Sequence, residues 1–469
     1  MRNLSKILVD KDSTIKEAMR VIYNGAIKMA VVTDNNQKLY GVVTDGDIRR
    51  GILNGITIQE KVDQLTNKNP IFKFVSDPIE EITQTFLKYP DVTGIPIVDK
   101  NKQIKDFVMF SRDSDLLFFS KTIPSNKHLN KILVIGGAGY IGSVLVRELL
   151  KKQYKVNVLD NFIYGKESLE SIKDHENLKI IEGDTRHIEV VVDAASDVDA
   201  VVHLAELVGD PICNINPKMT QNVNYLATKL IASLCKHYQI NRFVYTSSCS
   251  VYGASESEDL LTEESFLNPQ SLYAKMKIES ENALLDMADG NFSPTILRLG
   301  TVFGHSPRPR FDLVVNLLVA KAINDNEITI FGGDQWRPNI NVLDVARAII
   351  MVLEAPLNKV TGETFNVGSN NLNFTINQIG EEIKRFVPQA RLIKKDKDED
   401  KRNYKVDFSK IKNTLNFNTT KNLDDGISEI MEAFKNGRIT GSYKDNIYSN
   451  VNYLKTKLLE PKELNIGFS

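Results

Sequence analysis

The stretch "KILVIGGAGYIGSVLVRELLKKQY", from Lys131 to Tyr154, decides the fold of this chain. Its first five residues form a β-branched run that is typical of a buried parallel strand. Gly136, Gly139 and Gly142 then give a GxxGxxG turn, and the residues after it have helical spacing. Glycine permits a tight turn, lets backbone amides approach a pyrophosphate and lets the helix pack closely on the sheet. The stretch therefore predicts a strand, a turn and a helix whose N-terminus favours an anion.

The residues that follow extend this unit into a larger sheet. A second strand, "KVNVLD", ends at Asp160, whose carboxylate would accept hydrogen bonds from an adenosine ribose and repel a 2′-phosphate, so the pattern indicates NAD rather than NADP. The runs "LKIIEGD", "AVVHLAE", "RFVYTSS" and "SPTILRLG" alternate with helical segments. This alternation predicts an α/β fold with a doubly wound parallel sheet. The carboxyl ends of its strands would bring Asp184, Ala205 and Ser248 to one crevice.

Composition sets broad limits on what the chain binds. Its 469 residues predict two or three domains, and the net charge of −1 gives no general attraction to nucleic acid or to an anionic membrane. It contains no run of 18 apolar residues, so no membrane-spanning helix is expected. Cys213, Cys235 and Cys249 form no CxxC pair. They fit a reduced, cytoplasmic protein without a structural disulfide or a metal site.

A repeat occupies the residues before the glycine turn. A shift of 65 residues superimposes "VVTDNNQKLYGVVTDGD", which begins at Val31, on "PIVDKNKQIKDFVMFSR", which begins at Pro96. Each copy predicts helix, strand, turn, strand, helix. A unit of this size does not bury its apolar face alone, so the two copies are expected to pack together.

The repeat resembles a tandem pair of cystathionine-β-synthase (CBS) domains, an α+β module, over residues 1–122. The resemblance implies a regulatory unit that binds AMP, ADP or ATP in many proteins. Thr44 and Asp47 match the [ST]xxD pattern with which the family holds a ribose. The second copy has Met109 and Arg112 there, so at most one competent site is expected. The alternative interpretation is that the first pair only caps the helix that follows.

A second group of reactive residues lies after the strand "RFVYTSS". The segment "PQSLYAKMKIESENAL" places Tyr273 and Lys277 at i and i+4 of a predicted helix, so that they share one face. Asn268 and Pro269 are predicted to be its N-cap and first turn. Ser248 ends the preceding strand.

Ser248 with YxxxK behind a dinucleotide fingerprint resembles the extended short-chain dehydrogenase/reductase superfamily, and within it the NAD-dependent nucleotide-sugar epimerases and dehydratases. Five motifs occur in the proper order: GxxGxxG, Asp160, "EGDTR", "SSCSVYG" and YxxxK. The resemblance covers residues 131–437 and leaves 438–469 as a polar tail, for which an arm packed on another subunit is one interpretation. It implies a Rossmann fold with a small C-terminal substrate domain, a nucleotide-sugar substrate and a homo-oligomer. The implied cofactor contacts are Gly136, Gly139, Tyr140, Ile141, Gly142, Asp160, Asn161, Asp184, Thr185, Leu204, Ala205, Asn224 and Lys277.

The implied catalytic residues are Tyr273, Lys277 and Ser248. Deprotonating a sugar hydroxyl needs a base that is active near neutral pH, whereas tyrosine in water has a pKa of about 10. The ammonium of Lys277 and the positive charge of the nicotinamide are expected to lower that pKa, and Lys277 is also expected to hold the nicotinamide ribose. Ser248 would hydrogen-bond the reacting oxygen while hydride leaves its carbon and a ketosugar forms.

Two residues after Ser248 distinguish reactions within the superfamily. Its 4,6-dehydratases hold an Asp–Glu pair where this chain has Cys249 and Ser250. Neither is a good general acid or base there, which favours an epimerase; decarboxylation and simple sugar oxidation stay open. Cys249 is interpreted as a packing residue. An inactive NAD- and nucleotide-sensing scaffold is the alternative of another class, and an intact Ser, Tyr and Lys set argues against it.

Arginines mark the expected substrate end of the pocket. Arg337 matches the arginine with which related epimerases grip a diphosphate, and a bidentate, permanently charged guanidinium suits that role. Arg402 is a second candidate, and Arg308 and Arg310 face either the same anion or solvent. The expected substrate contacts are Ser248, Tyr273, Thr301, Arg310, Arg337 and Arg402. Two residues depart from the family pattern: Thr301 replaces a frequent asparagine, and Glu206 replaces a small residue near the pocket, so the identity of the sugar stays open.

Overall fold

The chain is described by a computed structural model that covers residues 4–25, 27–89, 92–110, 116–118, 122–123, 129–254, 259–289, 292–396 and 402–459. Arg112 and most of the expected domain boundary, residues 120–131, lie outside these ranges, as do the last ten residues of the tail.

The N-terminal part consists of two small α+β units. Their elements are β1 (Leu8–Asp10), α1 (Ile15–Gly25), β2 (Met29–Thr33), β3 (Leu39–Thr44), α2 (Asp45–Leu53), β4 (Lys73–Phe74), α3 (Ile79–Lys88), β5 (Gly94–Val98), β6 (Ile104–Phe110), β7 (Leu116–Phe118) and β8 (Thr122–Ile123). In each unit a parallel strand pair, β1–β2 or β4–β5, continues into an antiparallel pair, β2–β3 or β5–β6.

The repeat that the sequence predicts is present in the backbone. Strands β2 and β5 are offset by 65 residues, and so are the first residues of β3 and β6. Both antiparallel pairs also carry a register shift at corresponding positions, Val32/Thr33 and Ile97/Val98. The copies differ after β6: residues 116–118 of the second copy form the antiparallel strand β7, whereas β3 of the first copy is followed by α2. The aromatic, apolar run "LLFF" favours a strand at this position.

The two copies share one apolar core. Phe107 and Met109 of the second copy pack with Ile27, Met29 and Val31 of the first. Each copy therefore covers apolar surface that its neighbour would otherwise expose to water. This packing agrees with the expectation from the size of the repeat.

The rest of the chain forms a larger α/β body. Its first half contains β9 (Lys131–Ile135), α4 (Gly142–Lys151), β10 (Lys155–Asp160), β11 (Leu178–Glu182), α5 (Ile188–Ala194), β12 (Ala200–His203), α6 (Asp210–Ile215), α7 (Pro217–Thr220), α8 (Ala227–His237), β13 (Arg242–Ser248), α9 (Leu272–Asp286) and β14 (Ser293–Leu299). Its second half contains β15 (Thr301–Phe303), α10 (Val314–Asp325), β16 (Glu327–Phe331), β17 (Trp336–Asn341), α11 (Val342–Glu354), α12 (Leu357–Val360), β18 (Glu363–Val367), β19 (Asn373–Thr375), α13 (Ile376–Phe386), β20 (Arg391–Lys395), α14 (Ser409–Leu415), α15 (Leu423–Lys435) and α16 (Asn450–Leu459).

A seven-stranded parallel sheet organises this body. Its strand order is β11-β10-β9-β12-β13-β14-β18. Helices α4 and α11 pack on one face, and α5, α8 and α9 pack on the other. The predicted doubly wound α/β fold is thus confirmed. Because the strand order reverses between β9 and β12, a crevice opens at their carboxyl ends, where such folds bind ligands.

A smaller lobe lies beyond the sheet. Helices α10, α13 and α15 enclose its apolar core, and the strand pair β16–β20 lies beside them. The tail belongs to this lobe, because Tyr443 and Tyr448 are buried in its core and the Phe311 amide donates to the Tyr448 carbonyl at 2.8 Å. The described part of the tail therefore packs on its own chain.

One side chain links the N-terminal units to the larger body. Leu357, the first residue of α12, is buried within the core shared by the two repeat copies, next to Phe107 and Met109. The contact lies below the N-terminal end of β13, since the Arg242 guanidinium donates to the Ala355 carbonyl at 2.7 Å. The N-terminal units thus contact the end of the sheet opposite to the crevice.

The glycine turn generates a prediction about stability. A Cβ atom on Gly142 would lie 2.1 Å from the Gly136 carbonyl oxygen, whereas one on Gly139 would lie 3.3 Å from the same oxygen. Because backbone cannot move away cheaply, Gly142→Ala should destabilise the fold by about 1–3 kcal/mol, and Gly139→Ala should cost much less. Thermal unfolding followed by circular dichroism measures both, and equal melting temperatures for the two variants would contradict the close packing described here.

Candidate active site

A cavity of about 720 Å³ opens at the carboxyl ends of β9, β10, β12 and β13. Its volume is within the range of small-molecule and cofactor sites. The predicted site residues that line it are Gly136, Gly139, Tyr140, Ile141, Gly142, Asp160, Asn161, Asp184, Thr185, Leu204, Ala205, Ser248, Tyr273, Lys277, Thr301, Arg310, Arg337 and Arg402.

Asn224 is placed differently from these residues. It does not belong to the cavity lining, and both of its polar side-chain atoms are used by the backbone of Leu207, each at 2.9 Å. The loop after β12 is therefore held by this asparagine, and a direct cofactor contact for Asn224 stays a prediction.

The glycine turn forms the floor of the cavity and fits a dinucleotide. Gly136 has a φ of +87°, a left-handed conformation that glycine adopts without strain. A Cβ atom there would lie 2.8 Å from the amide nitrogen of Ala205 on the neighbouring loop. Helix α4 begins at Gly142, which lines the cavity, and a helix N-terminus at this place is the arrangement that receives a pyrophosphate.

Asp160 ends β10 beside this turn. Its two oxygens accept hydrogen bonds from the amides of Ala138 and Phe162, both at 2.9 Å. Burial raises the pKa of this carboxyl, while the two amides act in the opposite direction. Each carboxylate oxygen has a second lone pair, so a ribose hydroxyl can still be accepted.

The helix that carries the reactive pair begins later than predicted. Its N-cap is Ser271, whose hydroxyl accepts from the Ala274 amide at 3.2 Å, and α9 starts at Leu272. The assignment of Asn268 and Pro269 to the N-cap and first turn was wrong, because Ser271, three residues after Asn268, supplies the capping oxygen. The change does not affect the spacing of the reactive residues.

Tyr273 and Lys277 lie on the cavity side of α9. The Lys277 nitrogen is 5.6 Å from the centre of the Tyr273 ring, and it also donates to the Thr246 carbonyl. Ser248, at the end of β13, borders the same space, and its hydroxyl accepts from the Ser250 amide at 3.1 Å. The structure thus brings Ser248, Tyr273 and Lys277 together.

The charge of Lys277 is compensated by a residue next to it. Glu206 Oε2 is 2.7 Å from Lys277 Nζ, and both side chains are almost fully buried. The Tyr245 hydroxyl donates to Glu206 Oε1 at 2.6 Å. Burial raises the pKa of Glu206, and Lys277 and Tyr245 oppose that rise.

This pair changes the expected acidity of the phenol. Burial, followed by the negative charge of Glu206, raises the pKa of Tyr273 well above its ordinary value in the free chain. The lowering expected from Lys277 together with the positive nicotinamide stays a prediction. Glu206 was noted in the sequence as a departure, but its partner could not be predicted from its position.

Cys249 and Ser250 follow the reactive serine. The Cys249 thiol is buried and donates to the Arg298 carbonyl at 3.3 Å, and burial raises its pKa. A thiol in this environment is a packing group, because thiolate is the nucleophilic form. Ser250 lines the cavity.

Two arginines meet at the opposite end of the cavity. The Arg337 guanidinium donates to the carbonyl of Arg402, and Arg402 Nη1 is 3.3 Å from Asp210 Oδ2. Both arginines line the cavity, as the sequence analysis expected of substrate contacts. Two permanent cations that line the same cavity suit a diphosphate.

The other two arginines differ from each other. Arg310 forms a two-point ion pair with Asp312, at 2.9 and 3.1 Å. Arg308 is buried 4.4 Å from the centre of the Tyr164 ring, and its Nε and Nη2 have no hydrogen-bond partner among the described residues. Burial lowers the pKa of Arg308 to about 10. A buried guanidinium with open donors is costly unless an anion accepts from it.

The tail contributes to the cavity, which its sequence did not predict. Asn450 and Val451 line the cavity, and Leu454 on α16 packs with Tyr273 and Leu207. Val451 and Leu454 are three residues apart, which places them on one helix face. That spacing could have predicted a packed helix in the tail, but the surrounding residues are polar and make the pattern weak.

The predicted nucleotide pair of the N-terminal units forms a capping box on α2. Thr44 Oγ1 is 2.6 Å from Asp47 Oδ2, and the Asp47 amide donates to Thr44 Oγ1 at 3.1 Å. Arg50 Nη2 also donates a hydrogen bond to Asp47 Oδ1. Both side chains are thus engaged locally, as the capping interpretation requires, and nucleotide binding stays a prediction.

The described residues contain neither a candidate metal site nor a candidate membrane-spanning helix. No group of three or more His, Cys, Asp or Glu side chains in the described ranges is arranged to hold a metal ion. Within the same ranges, no helix has both the length and the apolar composition needed to cross a membrane.

Comparison with known families gives two matches. The family described as "NAD dependent epimerase/dehydratase family" matches residues 132–368. The CBS domain family matches residues 4–54, which is the first copy of the N-terminal repeat.

Relatives and solved structures agree with the first match. The chain is 31% identical over 266 residues to the UDP-glucose 4-epimerase of Bacillus subtilis (strain 168), which covers 51% of this chain and 77% of that protein. It is 30% identical over 317 residues to UDP-glucuronic acid decarboxylase 1 of Arabidopsis thaliana, which covers 65% of this chain and 70% of that protein. The structure of UDP-glucuronic acid 4-epimerase from Bacillus cereus, in complex with UDP-glucuronic acid and NAD, is similar with a TM-score of 0.58 and 26% identity, over 65% of this chain and 99% of that one. The cofactor is NAD.

The unpaired donors of Arg308 generate a prediction. Because Asp160 acts electrostatically on Arg308, this guanidinium lies toward the cofactor end of the cavity. Arg308→Gln should weaken NAD binding by about tenfold or more, since it removes charged hydrogen bonds in a buried site. Titration calorimetry with NAD on the full chain measures the loss.

Arg310→Gln is the matched control. It removes the same charge from the same loop, but its guanidinium is already occupied by Asp312. NAD affinity should fall much less in this variant. An equal or larger loss for Arg310→Gln would reverse the assignment of the two arginines.

Proposed function

Because the chain belongs to the NAD dependent epimerase/dehydratase family and carries a CBS domain at its N-terminus, we propose that it is an epimerase of nucleotide sugars that works through a transient ketosugar. One observation carries the proposal. Ser248, Tyr273 and Lys277 line the same cavity as the glycine turn and the arginines. A dinucleotide, a sugar carbinol and a diphosphate thus each have matching groups in one space.

Each residue has a distinct part in this reaction. Bound NAD supplies the acceptor and donor of hydride. The Ser248 hydroxyl holds the oxygen of the sugar carbinol, and the Tyr273 phenol exchanges the proton of that oxygen. Lys277, fixed by the Thr246 carbonyl and by Glu206, supplies the positive charge beside the phenol. Arg337 and Arg402 hold the diphosphate, which leaves the sugar free to turn before the hydride returns.

The neighbours of Ser248 support epimerisation over dehydration. Removing water from a ketosugar needs an acid and a base next to it. The thiol of Cys249 faces the Arg298 carbonyl, and Ser250 offers only a neutral hydroxyl. Decarboxylation is the second candidate, because one relative is a UDP-glucuronic acid decarboxylase.

We also infer a regulatory role for the N-terminal units. An adenine nucleotide at Thr44 and Asp47 would have to open the capping box that now joins them. Since Leu357 ties these units to the body beneath β13, a change there has a physical route to the sheet. The three described cysteines are free thiols, which supports a reducing, cytoplasmic location, and a homo-oligomer is the assembly we expect.

A panel of sugar nucleotides tests the reaction. The NAD-loaded protein is incubated in D₂O with UDP-, GDP-, CDP- and dTDP-sugars, including uronic acids, and products are followed by NMR. An epimerase returns the same hydride, so the product should be an epimer without deuterium on carbon. Deuterium incorporation with loss of water would identify a dehydratase, and release of carbon dioxide a decarboxylase; either result would contradict the proposal.

Tyr273→Phe separates catalysis from binding. The substitution removes the hydroxyl and keeps the ring, so turnover should fall by about a thousandfold or more, while NAD affinity stays near that of the wild type. Turnover near the wild-type level in this variant would contradict the role of Tyr273.

Calorimetry tests the regulatory site. The full chain is first saturated with NAD, so that AMP, ADP and ATP cannot bind in the cofactor cavity. We expect heat with at least one of them, and its loss in Asp47→Ala. Glu17→Ala breaks a similar Thr14–Glu17 cap on α1 and should retain binding. No heat with any nucleotide in the wild type would contradict nucleotide sensing.

A further inference from the structure

Glu206 is a buried carboxylate in the wall of the cavity. It follows β12 by three residues and lines the cavity beside Lys277. Its side chain is 2% exposed. Each of its oxygens has one partner, Lys277 at 2.7 Å and Tyr245 at 2.6 Å.

The pair has a direct electrostatic consequence. A carboxylate at ion-pair distance cancels most of the field that an ammonium exerts on its surroundings. The Lys277 nitrogen is 5.6 Å from the centre of the Tyr273 ring, close enough for its charge to act on the phenol. Glu206 thus reduces the stabilisation that Lys277 would give to a Tyr273 phenolate.

Other ionisable groups surround this pair on every side. His203 on β12 is buried and neutral, because burial and Lys277 lower its pKa to about 3. Among the groups that act on Tyr273, the charges of Glu206 and Asp210 oppose its ionisation, and that of Arg310 favours it; the Cys213 thiol nearby is uncharged, because burial raises its pKa to about 12. The charge of Arg310 is compensated by Asp312. The ion pair that the proposal concerns is therefore the one between Lys277 and Glu206.

We propose that Glu206 is a positioning residue that holds Lys277 and offsets its charge, so that a single negative charge beside Lys277 is carried either by Glu206 or by Tyr273. With Glu206 ionised, the phenol keeps its proton. When the carboxyl takes up a proton, Lys277 is free to stabilise the phenolate. A small residue at this position would leave the ammonium to act on the tyrosine unopposed. Only the link to turnover rests on the proposed function.

Titration of the phenol tests this without any substrate. The ultraviolet absorbance of tyrosinate is recorded against pH for the full chain, and the curve of Tyr273→Phe is subtracted to isolate Tyr273. The same difference is measured in a Glu206→Gln background. Glutamine keeps the size and one acceptor oxygen but removes the charge. The midpoint for Tyr273 should fall by about one pH unit or more, because a nearby negative charge has been removed.

Glu281→Gln is the matched control. Glu281 lies on α9, is buried, and is paired with Arg298 at 2.7 Å. The same chemical change is thus made in another buried ion pair on α9, one turn beyond Lys277 and two turns beyond Tyr273. The Tyr273 midpoint should not move in this variant. Circular dichroism checks that each variant is folded, and Glu206→Ala replaces Glu206→Gln if the latter does not fold.

A second readout uses turnover once a substrate is known. The acidic limb of the kcat profile should move to lower pH in Glu206→Gln, with KM changed less than kcat at low pH. A residue that only packs would change stability and leave this profile in place. A shifted titration without turnover of any nucleotide sugar would sink the proposed function and leave this inference standing.

The inference is overturned by one result. Glu206 does not set the protonation of the phenol if the Tyr273 titration has the same midpoint in the wild-type and Glu206→Gln backgrounds. The same conclusion holds if neither background gives a Tyr273-dependent signal. Turnover of a nucleotide sugar together with that result would leave the proposed function intact.

Discussion

The contact between the start of α4 and the carbonyl of Gly136 is the constraint on which the site depends. The helix lies so close to the turn that Gly142 has no room for a Cβ atom. This approach sets the N-terminus of α4 at the crevice, where β9 lies beside β12. Because all seven strands run parallel, the ends of β10, β12 and β13 then open on the same space. Asp160, Glu206 and Ser248 meet there although they are far apart in sequence.

Charge is distributed unevenly along the cavity. Arg308, Arg337 and Arg402 surround the regions suited to phosphates, and the first of these has donors that face no protein acceptor among the described residues. At the reactive end, the single ammonium of Lys277 is already matched by Glu206. The cavity is therefore prepared for anions where a dinucleotide and a diphosphate would lie, and close to neutral where proton transfer would occur.

Local sequence patterns predicted what depends on backbone geometry. The glycine spacing, the alternation of strands and the i, i+4 pair on α9 follow from turn, strand and helix periodicities, and each is present in the structure. Pairings across the fold could not be predicted in this way. The two partners of Glu206 are Tyr245 on β13 and Lys277 on α9. Asn224 is hydrogen-bonded to the backbone of Leu207, and Asn450 of the tail lines the cavity. Such contacts are set by packing over long sequence separations, and in the case of Ser271 a nearby competing cap decided the helix start.

The central claim is that one phenol, one serine and one bound nicotinamide act on the same sugar carbon. A crystal structure of the protein with NAD and a UDP-sugar measures this most directly. The account predicts the Tyr273 and Ser248 hydroxyls within hydrogen-bond distance of one carbinol oxygen, whose carbon faces the nicotinamide ring. A Tyr273 hydroxyl turned away from that ring, with no room for a ligand between them, would contradict it.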